Sequence, residues 1–436
     1  MMSTKYREEI LMIEDILKQI DRSSEEIVQF TQRLVKIPSE NVPPVGFEKE
    51  CQEYLIDFLK TVGVEIDSFL PTDVEGLTEH PAFLAGRNYE NRPNVVGVWK
   101  GEGGGKSLII SGHIDTSPQE PMPWGKYGPF SGEVSEGKIY GRGTFDMKGG
   151  MAAGFMAVKF LKELGIKLKG DVILESVVDE EYGGANGTLA TILKGYKADA
   201  AIVPEPTEMV ICPATRGDQN FKVTIQGNAG MPYTSGEWIN PVYGMASIIK
   251  GLRRFEKMRL ESTKIHPLYE NVPNPLPVII KKLKAGEIEE HGALGIPIDC
   301  WLLVGIQTFP PTMEEQVDNQ FFSFMDSLIE SDVELKKNPP NYEKRFRYVE
   351  PTEISISHPI VGEINDSFRK ITGKAADIKG APFPCDAFLF NKFGNTPVVC
   401  FGPRGGNAHA PNEFIYTKDL VDLTKIFALI IFNWCN

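Results

Sequence analysis

The 436-residue sequence is poor in the features that would make it a disulfide scaffold, a membrane protein or a nucleic-acid binder. It has six cysteines (Cys51, Cys212, Cys300, Cys385, Cys400 and Cys435), and none forms a CxxC pair. In a chain this long they read as scattered reduced thiols, not as a disulfide framework or a Cys-rich metal shell. No apolar run approaches the ~20 residues that cross a bilayer. The apolar tail from Ile426 to Trp434 is too short and reads as a core-packed terminal helix. Basic charge is in deficit, with 46 Lys+Arg against 59 Asp+Glu and a net charge of −13. That argues against a nucleic-acid partner, which needs a basic face. The first ten residues are polar and charged, so no signal peptide is expected and the expected location is cytoplasmic. There is no internal repeat and no low-complexity segment. Histidine is scarce at six, and His80, His266, His291 and His358 stand in no motif and read as structural or surface residues.

What is present begins with 42 glycines and 31 prolines, which imply many turns. The length exceeds what one hydrophobic core serves, so two domains are expected. Ser23-Ser24-Glu25-Glu26 predicts a helix start with an N-cap and an acidic first turn. A second helix is predicted over 48–59. Strands at 94–99, 107–112, 171–178 and 198–203, with a helix over 149–164, give a βαβ rhythm and an α/β domain with a mostly parallel central sheet. Near Arg216-Gly217 the rhythm changes. An alternating strand over 220–226, a helix from Pro241 and another over 313–329 predict a small inserted α+β domain. The polar stretch 334–344 reads as a returning linker. Helix, strand (397–401) and helix then complete the first domain. The expected boundaries are 1–213 and 338–436 for the first domain and 214–337 for the inserted one.

Five residues that can ligate metal punctuate this pattern: His113, Asp146, Glu181, Glu205 and His409. Ligands in open α/β sheets bind beyond the carboxyl ends of the strands. His113, the Glu180-Glu181 pair, Glu205 and the glycine-rich loop with His409 each follow a predicted strand. Two histidines and three carboxylates can hold two zinc ions, whose N and O donors sit at ~2.0–2.2 Å. An odd ligand count resolves if one carboxylate bridges ions ~3.5–4 Å apart. Asp146 is the candidate, because glycines let the backbone fold tightly around it. Glu180 is a spare carboxylate able to act as base. Asp115, two residues from His113, can accept that ring's second N–H. Each piece alone has a bland reading as an acidic turn or a loop, and only the coincidence of five carries weight. A dinuclear phosphatase fits the ligand types, yet no basic phosphate clamp is visible. A structural zinc site would favour cysteine.

The segments SGHIDT (111–116), GRGTFDMKGG (141–150), DEEYGG (179–184), PEPT (204–207) and AHAPNE (408–413) together resemble the acetylornithine deacetylase, succinyl-diaminopimelate desuccinylase, aminoacylase and carboxypeptidase G family of dinuclear zinc metallopeptidases. The resemblance runs from about Ser23 to the C-terminus. It implies a zinc-peptidase-like catalytic domain with an inserted lid domain. One zinc would be held by His113, Asp146 and Glu205, the other by Asp146, Glu181 and His409. It implies Glu180 as general base, Asp115 as support for His113, and a cis peptide between Asp146 and Met147. The implied reaction is hydrolysis of a small-molecule amide by a bridging water. Glu180 takes its proton and returns it to the leaving amine. Oxygen-rich ligation also permits cobalt or manganese.

Two positions depart from the pattern. The lid segment Gly227-Asn228-Ala229-Gly230-Met231 has methionine where the family carries a histidine that stabilises the oxyanion, and methionine donates no hydrogen bond. Loss of one such donor costs roughly 10²–10³ in turnover. Gln307 stands where the family often has an arginine that clamps a substrate carboxylate. Asn240 matches a lid asparagine near the substrate. Two readings follow. One is an active N-deacylase, or a dipeptidase or carboxypeptidase, with an altered pocket in which Tyr233, Thr234 or Arg404 supplies the missing donor or charge. The other is a weakened relative that binds metal or ligand. The intact ligand set and base favour the first, and Gln307 predicts tolerance for N-acylated amines that lack a carboxylate. Family relatives often form a homodimer through the lid, which Met231 makes less necessary.

Overall fold

The computed structural model describes residues 4–119, 123–184, 186–228, 238–286 and 296–436. The chain divides into two compact units. The larger comprises residues 1–214, 353–381 and 385–436, and the smaller comprises residues 215–352 and 382–384.

The larger unit is built on a nine-stranded sheet. The strands that position the site run in the order Ile211–Thr215, Val398–Cys400, Ala200–Val203, Leu108–His113, Val172–Val177, Asn94–Trp99 and Glu65–Phe69. The four central members, from Val398–Cys400 to Val172–Val177, are mutually parallel. The flanking pairings are antiparallel. The sheet is therefore parallel at its centre and mixed as a whole. Parallel strands are covered on both faces and read as continuous apolar runs. Leu108–His113, Val172–Val177 and Ala200–Val203 are accordingly buried along their whole length.

The helix Gly149–Glu163 is buried on nearly all sides, with Phe155, Phe160 and Leu161 in the core. Full burial of each such side chain contributes about 1.5–3 kcal/mol. Its first turn approaches the sheet closely: a Cβ on Gly150 would lie 2.0 Å from the Pro204 carbonyl oxygen. Only glycine allows that approach, which sets the Asp146 loop against the strand end that carries Glu205. The terminal helix Thr417–Trp434 is apolar as expected and packs on this helix. A helix over Thr4–Arg22 precedes the predicted one and was not anticipated. Ser23 holds the N-cap position of Ser24–Lys36, but its side chain makes no capping bond, because the preceding helix runs up to it. Among the described residues no helix is long and apolar enough to cross a membrane.

The smaller unit is an antiparallel four-stranded sheet in the order Val278–Ala285, Asp299–Thr308, Gly217–Gln226 and Asn341–Val349. Alternation along Gly217–Gln226 sends Phe221, Val223 and Ile225 to one face. They join side chains of the helices Pro241–Ser262 and Glu314–Ser331, with Phe221 stacked on Phe321 at 4.3 Å between ring centroids. The polar stretch 334–344 is not a linker. It forms the helix Val333–Lys337 and the start of a strand that pairs along Gly217–Gln226. Its polarity belongs to an edge strand with exposed side chains, which composition alone does not separate from a linker.

Candidate metal centre

The carboxyl ends of the four parallel strands lie along one edge of the larger unit's sheet, and the site is assembled there. His113 is the last residue of its strand. Glu180 and Glu181 follow Val172–Val177 after a turn in which Asp179 adopts φ 67°. Glu205 follows Ala200–Val203. Gly402 follows Val398–Cys400, and a Cβ there would lie 2.1 Å from the Glu205 carbonyl oxygen, so glycine lets the two loops touch. His409 lies further along that loop at φ 58°. Asp146 lies in the irregular turn Thr144–Lys148, and the peptide between Asp146 and Met147 is cis.

The five side chains expected as ligands come together. His113 Nε2 is 3.2 Å from Asp146 Oδ1 and 3.8 Å from Glu205 Oε1. His409 Nε2 is 3.0 Å from Asp146 Oδ2 and 2.9 Å from Glu181 Oε2. Each oxygen of Asp146 thus faces a different histidine. Two donors about 2.1 Å from a tetrahedral ion lie about 3.4 Å apart, so these separations suit shared cations. Glu180 Oε2 is 4.0 Å from His113 Nε2.

The charge balance also fits cations. Burial raises Glu180 and Glu205 well above the usual carboxylate range, helped by neighbouring carboxylates and opposed by His113. Burial works to lower His113, but the Asp146 hydrogen bond and the charges of Glu205 and Glu180 raise it well above the ordinary imidazole value. The Glu181 charge, with Asp146, pushes His409 up to about 11. Without added positive charge, protons must neutralise this cluster. Divalent ions would do so in their place.

Asp115 works differently from expectation. Its carboxylate lies 3.8 Å from His113 Nδ1, and it is the Asp115 backbone carbonyl, at 2.8 Å, that pairs with that nitrogen. The carboxylate instead accepts the N–H groups of Glu180 and Glu181, both at 3.1 Å. It also accepts Asn41 Nδ2 at 2.8 Å. Asn41 donates as well to Asp179 Oδ1 at 3.0 Å, and Tyr89 OH donates to Asp179 Oδ2 at 2.7 Å. This support for the Glu180-Glu181 turn was missed in the sequence. Asn41 sits in a two-residue strand far from any motif. Cys385 and Asp386 were missed too, and their ligand atoms lie within 4.8 Å of one another and of a Glu205 oxygen.

Other expected residues fall elsewhere. Asn240 caps the helix Pro241–Ser262, its Oδ1 accepting from Val242 N at 3.0 Å. Gln307 is buried, and its Oε1 accepts from Arg216 Nη1 at 2.7 Å. Arg404 forms an ion pair with Asp419. Met231, Tyr233, Thr234 and His291 lie outside the described residues. His80, His266 and His358 each accept a backbone N–H two residues ahead, which is a turn-capping role.

The sequence profile of peptidase family M20/M25/M40 matches residues 109–433. The chain is 30% identical to the N-formyl-4-amino-5-aminomethyl-2-methylpyrimidine deformylase of Bacillus subtilis, an alignment covering 97% of this chain and 98% of that protein. Its fold resembles that of the dipeptidase Dug1p of Saccharomyces cerevisiae, with a TM-score of 0.78 at 14% identity over 97% of this chain and 98% of that one. It also resembles a dinuclear metal-binding M20 peptidase of Bacillus subtilis, with a TM-score of 0.58 at 17% identity over 95% of this chain and 99% of that one. With its strand-end carboxylates and histidines, the chain belongs to peptidase family M20/M25/M40 and is a metal-dependent amidohydrolase.

Proposed function

We propose that the chain removes a small acyl group, formyl foremost, from an aminomethyl-heteroaromatic amine that carries no carboxylate. The metal reading rests on one observation: the two oxygens of Asp146 face His113 and His409 separately. On this reading Asp146 would be a ligand common to two zinc ions. His113 and Glu205 would complete one shell, and Glu181 and His409 the other. Bound metal would supply Lewis acidity toward the amide carbonyl and a lowered pKa for the attacking water. Glu180 takes the proton of that water and passes it to the amine nitrogen as the C–N bond breaks, releasing formate and free amine. Asp115 holds the backbone of Glu180 and Glu181.

The smaller unit and the relative support this substrate class. Gln307 offers no charge, and its carbonyl is committed to Arg216. The Bacillus subtilis relative is named for deformylating an aminomethylpyrimidine. On the smaller unit, Asn240 is the residue we propose to contact substrate, from its match to the family's lid asparagine. Six free cysteines accord with a reducing cytoplasm. The edge strand Val278–Ala285 leaves Leu283 exposed and is the proposed contact of a homodimer, which analytical ultracentrifugation tests.

The deciding assay follows amine and carboxylate release by zinc-, cobalt- or manganese-loaded protein. The panel holds an N-formyl aminomethylpyrimidine, N-acyl amino acids and dipeptides. Preference for the first supports the reading. Strict dependence on a substrate carboxylate overturns it, and inertness across the panel supports a weakened, metal-binding relative.

A further inference from the structure

The loops that bring Asp146 and His409 together leave a single strand pair. Lys138–Tyr140 leads into Gly141 and the Asp146 loop, while Phe414–Tyr416 follows the His409 loop. The two strands are antiparallel, with Phe414 opposite Tyr140. One residue joins the loops a second time. Glu413 is wholly buried. Its Oε1 accepts from Phe145 N at 2.9 Å and from Asp146 N at 3.1 Å. Its Oε2 accepts from Arg142 Nη1 at 2.9 Å. Its backbone carbonyl accepts from Gly141 N at 2.9 Å. Arg142 is buried as well, and its guanidinium lies over the Trp124 ring.

We propose that Glu413 is a positioning residue: it fixes the separation of Asp146 from His409, and through it the affinity for the metal pair. The proposal rests on the metal-ligand reading above. A buried carboxylate is costly unless its lone pairs are satisfied, and here all the side-chain donors come from the loop of Asp146. Glu413 itself stands four residues beyond His409 in the opposite loop. One side chain thus spans both sides of the site while touching no reacting atom. The contact to the Asp146 N–H acts on the backbone of the residue whose two oxygens face the two histidines. Moving that backbone displaces both oxygens together, so both ions are affected. Groups that orient metal ligands typically change affinity by roughly 10–100-fold when altered. Arg142 aims the carboxylate, since an ion pair with a guanidinium is directional.

The test is Glu413→Asp, which keeps the charge and shortens the reach by one methylene, with circular dichroism confirming the fold. Zinc affinity is measured by competition with a chromogenic chelator, and the visible spectrum is recorded on the cobalt-loaded protein. The expected result is zinc binding weaker by roughly 10–100-fold with an altered cobalt spectrum. A folded Glu413→Asp that matches wild type in both overturns the proposal while the metal-ligand reading stands. A wild-type protein that takes up no metal pair overturns both. A second measurement needs no variant. In metal-free wild-type protein the Phe145 and Asp146 amides should stay protected from hydrogen exchange, because Glu413 is their acceptor. Exchange of both at the rate of an open loop overturns the proposal even if Glu413→Asp fails to fold.

Discussion

Each unit of the molecule buries an arginine against a side-chain acceptor, and the two pairs are built differently. In the larger unit Arg142 meets the carboxylate of Glu413. In the smaller unit Arg216 meets the neutral amide of Gln307 at 2.7 Å. Its remaining partners there are the Asn274 carbonyl at 3.0 Å and the Tyr269 ring at 5.4 Å. Burial lowers the Arg216 proton affinity, opposed by Tyr269, and among the described residues no carboxylate is paired with it. The Arg142 pair therefore balances buried charge with charge and orients a site. The Arg216 pair holds a positive charge with dipoles. The difference changes the meaning of Gln307. As a missing arginine it marks only an absent clamp. In the structure it is the acceptor that Arg216 requires.

The largest effect separates the chemistry of the larger unit from everything else. Glu180→Gln should lower turnover by roughly 10²–10⁴-fold while metal analysis still finds two ions per chain. Unchanged turnover would remove Glu180 from the reaction. The contrast between the arginine pairs is broken directly by Gln307→Arg, which sets two guanidinium groups face to face in a buried place. Unfolding in urea should show a loss of about 3–5 kcal/mol, the scale for an uncompensated buried charge. Adding Arg216→Met should recover most of it. A Gln307→Arg protein as stable as wild type would mean that Arg216 has other support. Asp115→Asn replaces an acceptor of three N–H groups with one that must turn a donor toward them. Zinc affinity should fall by roughly 10–100-fold with the smaller unit unaffected.

The smallest effect per step is in pH. His409 is raised from 6.5 to about 11, so in the metal-free protein it carries a proton across the neutral range. Its ion pairs with Glu181 and Asp146 contribute stability that is fully present below about 6.5 and is lost as pH rises through about 11. A ligand must shed that proton, so metal affinity should rise about tenfold per pH unit for each proton released. Titration calorimetry in buffers of different ionisation enthalpy counts the protons. An affinity independent of pH between 6 and 8 would show that His409 is not a ligand.

The site was legible where chemistry follows a strand end. His113, Glu180, Glu181 and Glu205 each follow a buried apolar run, and a parallel sheet places all such ends along one edge. The supports were not legible, because they are made across the chain. Asn41 reaches Asp115 over 74 residues, and Glu413 reaches Phe145 over 268. No periodicity reports such a pairing. Asp115 shows the limit from the other side: proximity to His113 was read as a side-chain contact, whereas the backbone carbonyl makes it and frees the carboxylate for the Glu180-Glu181 turn. In the smaller unit the strand over 220–226 followed from alternation and the two long helices were expected, but the strand from Asn341 looked like linker because an exposed edge keeps few apolar residues.

The strand Val398–Cys400 lies between Ala200–Val203 and Ile211–Thr215, which are near neighbours in sequence yet not in the sheet. During synthesis the first 214 residues can therefore form a sheet only with a slot left open. His409 arrives with the segment that fills the slot. A ribosome-bound chain stopped short of that segment holds His113, Asp146, Glu181 and Glu205 without their fifth companion. One segment therefore both completes the parallel centre of the sheet and brings His409 to the strand-end cluster.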